Sequence, residues 1–484
     1  MNYKMVGRFL AQILTVEGLF MIPAVIIGYV CGEDNAMQAL LWSILIIAVV
    51  VAFLRLTCRH AASGFYAKEG LACVGLGWIG MSLFGGLPFF IAREIPNYVD
   101  ALFEIVSGFT TTGSSILPAV EDMSQCLLYW RSFSHWLGGM GVLVFLLAIV
   151  PAGGKGRGYT MHILRAESPG PVVGKLVPKM KDTAKILYLI YILLTVINII
   201  FLLAGHMPAF DAFCTAFGTA GTGGFGIKND SIAGYSPYLQ NVTTVFMLLF
   251  GVNFSCYYLL LIRQFKAVFF DEELRLYHGA VLGSTALIVW NLRGFYGSLG
   301  ETIRHAAFQV SSIITTTGFA TTDFDKWPGF SKAIILSLMV LGACAGSTGG
   351  GLKCGRALIL LKSAHRNIRK VLHPQKVQVV RNNGRMVDEK IVASINAYMA
   401  IYVIIVILSF LMISIDGFSV ETNLSAVLAC FNNIGPGLDA VGPTCNFSAY
   451  SIFSKLVLIG DMLAGRLEIF PILILLSRSA WSQR

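Results

Sequence analysis

Hydrophobic and polar positions fall along this chain in blocks of two lengths. Long apolar runs lie near 8–30, 37–57, 69–92, 125–150, 183–204, 238–262, 276–292, 331–360, 390–414 and 451–477. Coiled as helices rising 1.5 Å per residue, they suit the roughly 30 Å hydrocarbon core of a bilayer. Between alternate pairs sits a shorter, half-polar segment that ends on glycine, at 98–113, 209–223, 303–318 and 420–435. These cover only part of that thickness and read as re-entrant. The pattern predicts an all-α polytopic membrane protein with about ten transmembrane helices. A two-helix N-terminal hairpin (1–68) precedes four copies of span, short helix and span: 69–181, 182–275, 276–388 and 389–484.

Each copy starts and ends on the same side, so the repeats are parallel and imply a pseudo-fourfold axis along the membrane normal, unlike the inverted repeats of many transporters. The terminal glycines Gly113, Gly223, Gly318 and Gly435 are 110, 95 and 117 residues apart, too far for a solenoid repeat. Non-helical backbone at membrane depth is tolerated where it is buried in protein or lines a wet cavity. Four such segments around one axis therefore predict a pore.

Composition agrees. The 484 residues are 56% hydrophobic and 13% charged, against about 25% charged in soluble domains. The net charge of +10 does not point to nucleic acid. Of 36 Lys and Arg, 27 lie at one set of span ends: the N-terminus, 55–68, 153–185, 263–275, 353–390 and the C-terminus. That positive-inside distribution places both termini in the cytoplasm. The first apolar run continues to Tyr29 without a small-residue cleavage site, so no cleaved signal peptide is expected. The ten cysteines include no C-x-x-C pair, and neither a disulfide framework nor a zinc site is predicted.

The candidate chemistry lies in the four tips. A potassium ion sheds its hydration shell only where several oxygens replace it, as rings of backbone carbonyls do. Thr111-Thr112-Gly113, Thr222-Gly223, Thr316-Thr317-Gly318 and Asn433-Ile434-Gly435 offer such carbonyls from four copies. Glycine allows backbone angles that a Cβ forbids, and each preceding short helix would aim its partly negative C-terminal end at the axis. Ile434 departs from the threonine pattern, losing a hydroxyl but no carbonyl.

Other features are less specific. Gly346, Ser347, Thr348, Gly349, Gly350 and Gly351 break the second span of copy three, since glycine disfavours helix by about 1 kcal/mol. They do not form a Walker loop, because Leu352 precedes Lys353. Glu17, Glu104 and Asp461 are the titratable groups that a proton- or sodium-coupled cation symporter would need. Asp230, Asp323, Asp325 and Asp439 fall in expected outer loops, either as solvated acids or as cation attractors. Arg131 and His135 open the second span of copy one, with His135 read as a packed histidine. Val377 to Val387, turning at Asn383-Gly384, predicts a β-hairpin on the basic side, either solvated or a docking surface. An enzyme is not expected, because the chain carries no Asp-Lys-Thr-Gly phosphorylation motif and no large soluble domain.

Trp130-Arg-Ser-Phe-Ser-His-Trp-Leu-Gly-Gly-Met-Gly141, Thr315-Thr-Thr-Gly-Phe319, Gly346-Ser-Thr-Gly-Gly-Gly351, Asn432-Asn-Ile-Gly-Pro-Gly437 and Gly465-Arg-Leu-Glu468 resemble signatures of the Trk/Ktr/HKT potassium transporter superfamily. The resemblance is closest to its bacterial TrkH-type membrane subunits and covers nearly the whole chain. It implies potassium uptake across the bacterial cytoplasmic membrane by a homodimer in which each protomer holds its own pore. It also implies a cytosolic TrkA-like regulatory ring that carries the nucleotide, K+ as the transported ion and no covalently bound cofactor. By the same resemblance, Gly346 to Gly351 obstruct the pore beneath the filter, and Arg466 projects into it as an electrostatic barrier. In plant relatives serine at the first filter glycine goes with sodium transport, so Gly113 favours potassium.

Overall fold

A computed structural model describes residues 2–59, 67–139, 141, 180–477 and 481. Five of its helices are long and apolar enough to cross a membrane: Tyr3–Cys31, Asp34–Thr57, Glu69–Ile91, Asp182–Ala204 and Glu389–Asp416. The first two form the expected antiparallel hairpin. The helix Tyr3–Cys31 packs along Ala67–Gly85 and Gln125–Gly139 of copy one. The outer face of the hairpin exposes Leu19, Ile26, Trp42, Val49 and Phe53, the apolar surface that suits lipid.

The four short segments are helices at Tyr98–Phe109, Ala209–Gly221, Leu299–Ile314 and Val420–Phe431. The shortest have 12 residues and rise about 18 Å, well short of a bilayer core. Asn97, Ser298 and Ser419 cap three of them through their side chains. All four carry an acid in the first turn, Asp100, Asp211, Glu301 and Glu421, where the helix dipole stabilises negative charge.

The second spans of copies two and four differ from the continuous helices expected, whereas that of copy three breaks around Gly346 to Gly351 as its glycines predict. In copy two, Pro237–Phe250 and Phe254–Leu261 meet at 88°. In copy three, Gly329–Leu341 and Cys354–Leu372 are separated by a loop. In copy four, Ile452–Arg466 gives way to Phe470–Leu476 through Glu468 and Ile469 at positive φ. The cause is close packing on the short helices. A Cβ on Gly465 would lie 1.8 Å from Phe431 O, and one on Gly251 would lie 2.8 Å from Thr315 Cγ2. Gly138 of copy one stands in the same relation to Phe109 O, at 1.8 Å. That span is described to Gly139. The rest of its expected range, apart from Gly141, and the basic loop up to residue 179 lie outside the described residues. The hairpin forms with strands Arg381–Asn382 and Arg385–Met386 paired antiparallel across Asn383-Gly384.

Candidate functional site

All four short helices end in the same way. The N–H of Thr112, Gly223, Thr317 and Ile434 donates to the carbonyl five residues back, each at 2.8 Å. The N–H of the preceding residue donates three residues back, at 3.0–3.2 Å. This is the Schellman arrangement, which requires a left-handed residue between helix and exit. Glycine usually fills that position, but here Thr111, Thr222, Thr316 and Asn433 do, at φ 55°, 54°, 56° and 56°. A β-branched residue there is a genuine outlier, costing of order 1–3 kcal/mol. Strain repeated at three equivalent threonines marks a constrained site, and Asn433 in the fourth copy is a residue that enters the left-handed region more readily.

Two residues on, a glycine again has positive φ: Gly113 (85°), Gly224 (73°), Gly318 (87°) and Gly435 (104°). This corrects the register of copy two. Its counterpart of Gly113 is Gly224, one residue beyond the Gly223 expected from sequence, and Gly223 stands where the other copies have Thr112, Thr317 and Ile434.

In that register the four loops close on one another. A Cβ on Gly113 would lie 2.1 Å from Gly223 O, one on Gly224 1.9 Å from Thr317 O, and one on Gly318 2.1 Å from Ile434 O. One on Gly435 would lie 2.9 Å from Thr112 O. Each glycine thus abuts the preceding-residue carbonyl of the next copy, in the cyclic order one, two, three, four, one. No side chain fits between them, so the ring is backbone against backbone. The same four glycines line one cavity, with Ser114, Phe225, Ala320 and Pro436 among its other walls.

Behind the ring, side chains hold the loops. The hydroxyls of Thr110 and Thr112 lie 2.7 Å apart, and those of Thr315 and Thr317 lie 2.8 Å apart. Copy four has no such pair. There the Asn433 side-chain amide donates to Thr112 Oγ1 (2.9 Å) and Met462 O (3.0 Å), so the hydroxyl lost at Ile434 is replaced by an amide from its neighbour. Ser114 Oγ donates to Gly435 O at 2.9 Å, joining copies one and four.

A buried clamp joins copies one and two. Arg131 Nε meets Glu104 Oε1 at 2.6 Å with both side chains out of solvent. Arg131 also donates to Gly226 O (2.9 Å) and stacks over Phe225. The other Glu104 oxygen accepts from Ile116 N. His135 Nε2 accepts from Phe225 N at 3.2 Å, which leaves Nδ1 to donate to Gly108 O at 2.8 Å. His135 is therefore the packed histidine expected, and Glu104 is held in an ion pair rather than free to carry protons. The sequence signal for the clamp was present, an acid and a base in neighbouring apolar segments of one copy. Their pairing needed the fold.

The other titratable candidates stand apart from the ring cavity. Glu17 is buried beside Gly85, where a Cβ would lie 2.9 Å from its Oε1. Asp461 accepts from Ser409 Oγ at 2.7 Å. Asp323 and Asp325 pair with Lys326 and Lys332. Asp439 accepts at 2.6 Å from the hydroxyls of Ser419 and Thr422, which hold its carboxyl below the ordinary value. A Cβ on Gly234 would lie 2.5 Å from Asp230 Oδ2. None of the four outer acids is among the described residues lining the ring cavity.

On the opposite side of the ring, the loop between Leu341 and Cys354 lies across the C-terminal ends of two short helices. A Cβ on Gly349 would sit 2.9 Å from Thr315 O, and one on Gly350 2.5 Å from Asn432 O. Gly350 N donates to Thr316 Oγ1 at 2.6 Å, the hydroxyl of a strained ring residue. Thr348 Oγ1 donates to Phe250 O (3.3 Å), and Lys353 Nζ donates to Gly349 O. Arg466 donates to Thr348 O and Gly139 O, each at 2.8 Å, and to Gly138 O. Through these bonds the loop of copy three is tied to copies one, two and four. Glu468, two residues beyond Arg466, pairs with Arg356.

Residues 36–279 and 297–483 match the family described as TrkH, cation transport protein. The chain is 34% identical over its full length, and that of the relative, to the Trk system potassium uptake protein TrkH of Salmonella typhimurium. It is 32% identical to the protein of that name from Halomonas elongata, covering 99% of this chain and 100% of the relative. Its fold is similar to the crystal structure of the potassium transporter TrkH from Vibrio parahaemolyticus, with a TM-score of 0.88, 29% identity and full coverage of both chains.

Proposed function

The chain belongs to the TrkH family of cation transport proteins, and on that premise we propose that it conducts potassium ions through the ring of four loops. The family is one of transporters, not enzymes. The observation that carries the reading is the cyclic contact of Gly113, Gly224, Gly318 and Gly435 with the carbonyls of Gly223, Thr317, Ile434 and Thr112. Four equivalent carbonyls fixed by backbone packing are the chemistry that replaces a hydration shell. The short helices end at the ring, so their C-terminal dipoles add negative potential there.

In this reading Thr111, Thr112, Gly113, Thr222, Gly223, Gly224, Thr316, Thr317, Gly318, Asn433, Ile434 and Gly435 form the filter. Gly346 to Gly351 with Arg466 form a gate, shut in the arrangement described. The basic span ends face the cytoplasm along with both termini. There a TrkA-like nucleotide-binding ring would bear on the gate of a homodimer in the bacterial cytoplasmic membrane.

The test is ion flux through purified protein in liposomes, with a potassium gradient and no proton or sodium gradient imposed. Potassium flux that exceeds sodium flux is expected. Potassium movement only under a proton or sodium gradient would replace the channel reading with a coupled symporter.

A further inference from the structure

The gate loop is held from both ends by the β-hairpin on the basic side. The path begins at the turn residue Asn383. Its side chain donates to Asp271 Oδ2 (2.7 Å) and accepts from Glu272 N (2.9 Å), and its backbone N donates to Glu272 Oε2 (3.2 Å). Asp271 is also the N-cap of the helix Glu272–Asn291, accepting from Leu274 N at 2.9 Å through its other oxygen. The next acid, Glu273, turns the other way. Its Oε1 accepts from Ala345 N at 2.6 Å, immediately before the glycine-rich loop, and its carboxylate abuts Gly355 just after it. Three consecutive acids therefore join the hairpin turn to the gate loop.

A second path runs along the helix Cys354–Leu372, which starts where the loop ends. Lys362 on this helix pairs with Glu272 and donates to Arg381 O of the hairpin at 2.8 Å. At the base of the hairpin, Val380 is buried against Ile359 of the same helix, with Val392 and Ile395. The turn itself is exposed, with Asn383, Gly384, Arg385 and Met386 all in solvent. An exposed clasp is easily exchanged for water, whereas its far end at Glu273 grips a buried loop.

Building on the gate assignment above, we propose that Asn383 and the acids Asp271, Glu272 and Glu273 form a releasable tie, so that displacing the hairpin turn loosens the loop Gly346 to Gly351. The hairpin is then the surface on which a cytosolic partner acts, and the partner's task is to compete for Asn383 or to lift the turn.

Two buried thiols give a direct readout. Cys344 and Cys354 flank the loop and are out of solvent. In a protein with the other eight cysteines replaced by alanine, their rate of modification by a small methanethiosulfonate reagent reports loop opening. Asn383→Gly is the informative substitution. Asn383 has φ 50°, so glycine keeps the turn while removing the side-chain bonds. Asp271→Asn is the second, since asparagine caps a helix as well as aspartate does but offers no acceptor to Asn383 once its oxygen is used on Leu274 N.

Both substitutions should raise the labelling rate about fivefold to tenfold, the scale of one or two exposed hydrogen bonds. Potassium flux in liposomes should rise by a similar factor, with the potassium-to-sodium ratio unchanged. Unchanged labelling in both variants overturns the tie. Faster labelling with unchanged flux leaves the tie standing and refutes the gate, and faster labelling with a changed ion ratio leaves the tie standing and speaks against the filter assignment.

Discussion

Replacing Gly224 by alanine separates the register in the structure from the one expected in sequence. The new Cβ would lie 1.9 Å from Thr317 O, against a normal C···O approach of roughly 3.3 Å. The carbonyl of copy three, or the loop of copy two, would have to retreat by roughly 1.4 Å. Left-handed backbone adds about 1–2 kcal/mol for any residue with a Cβ, and overpacking a tight site adds about 1–3 kcal/mol. If only 1.4 kcal/mol of that falls on the difference between potassium and sodium, discrimination drops about tenfold. Gly223→Ala meets a different obstacle, the His135 ring at 2.2 Å, and should lower thermal stability through that clamp. The assay is paired potassium and sodium flux in liposomes, alongside a thermal melt of each variant. A folded Gly224→Ala protein with an unchanged ion ratio would refute the ring geometry.

Arg466→Ala removes three hydrogen bonds to Thr348, Gly138 and Gly139. It should raise potassium flux by about tenfold or more, since a shift of 1.4 kcal/mol in a shut-to-open equilibrium is enough. Loss of flux in a folded variant would make Arg466 a structural residue instead. Glu104→Gln leaves Arg131 as an uncompensated buried charge and should cost about 3–5 kcal/mol, seen as a clear fall in melting midpoint. The double change Glu104→Leu with Arg131→Met should recover most of it, and an unchanged midpoint in the single variant would show that the pair is dispensable. Asp439, whose folded pKa lies below its ordinary 3.8, contributes stability that is complete above that value. The contribution is lost as pH falls through the lower folded value. Asp439→Asn should therefore flatten the acid limb of the melting curve below about pH 4 and leave flux at neutral pH unaltered. An unflattened limb would show that the Ser419 and Thr422 contacts do not persist.

Much of the fold was legible because the bilayer imposes length. Runs such as Asp34–Thr57 and Asp182–Ala204 announce themselves by apolarity alone, and the short helices by being too brief to span. The turn at Asn383-Gly384 was legible for a local reason, its demand for positive φ. The break in copy three was carried by its run of glycines, but the bends at Gly251 and Leu467 were not legible, because apolarity carries no record of direction. They arise where a glycine lets one span press on the end of a short helix from the same or a neighbouring copy. The register of copy two was missed because Thr222-Gly223-Gly224 offers two glycines, and matching Thr-Gly to Thr-Gly selects the wrong one. Only the repeated helix-exit hydrogen bonds choose between them. Glu104 was read as a candidate proton carrier because its partner Arg131 is 27 residues away, beyond the reach of any helical spacing rule.

The central claim, that the four loops form one ion site, is tested most directly by a structure determined with thallium in place of potassium, so that the ion is identified by its scattering. Density is expected on the axis of the ring, bounded by the carbonyl oxygens of Thr112, Gly223, Thr317 and Ile434. Density beside Glu17 or Asp461 instead, with none within the ring, would contradict it.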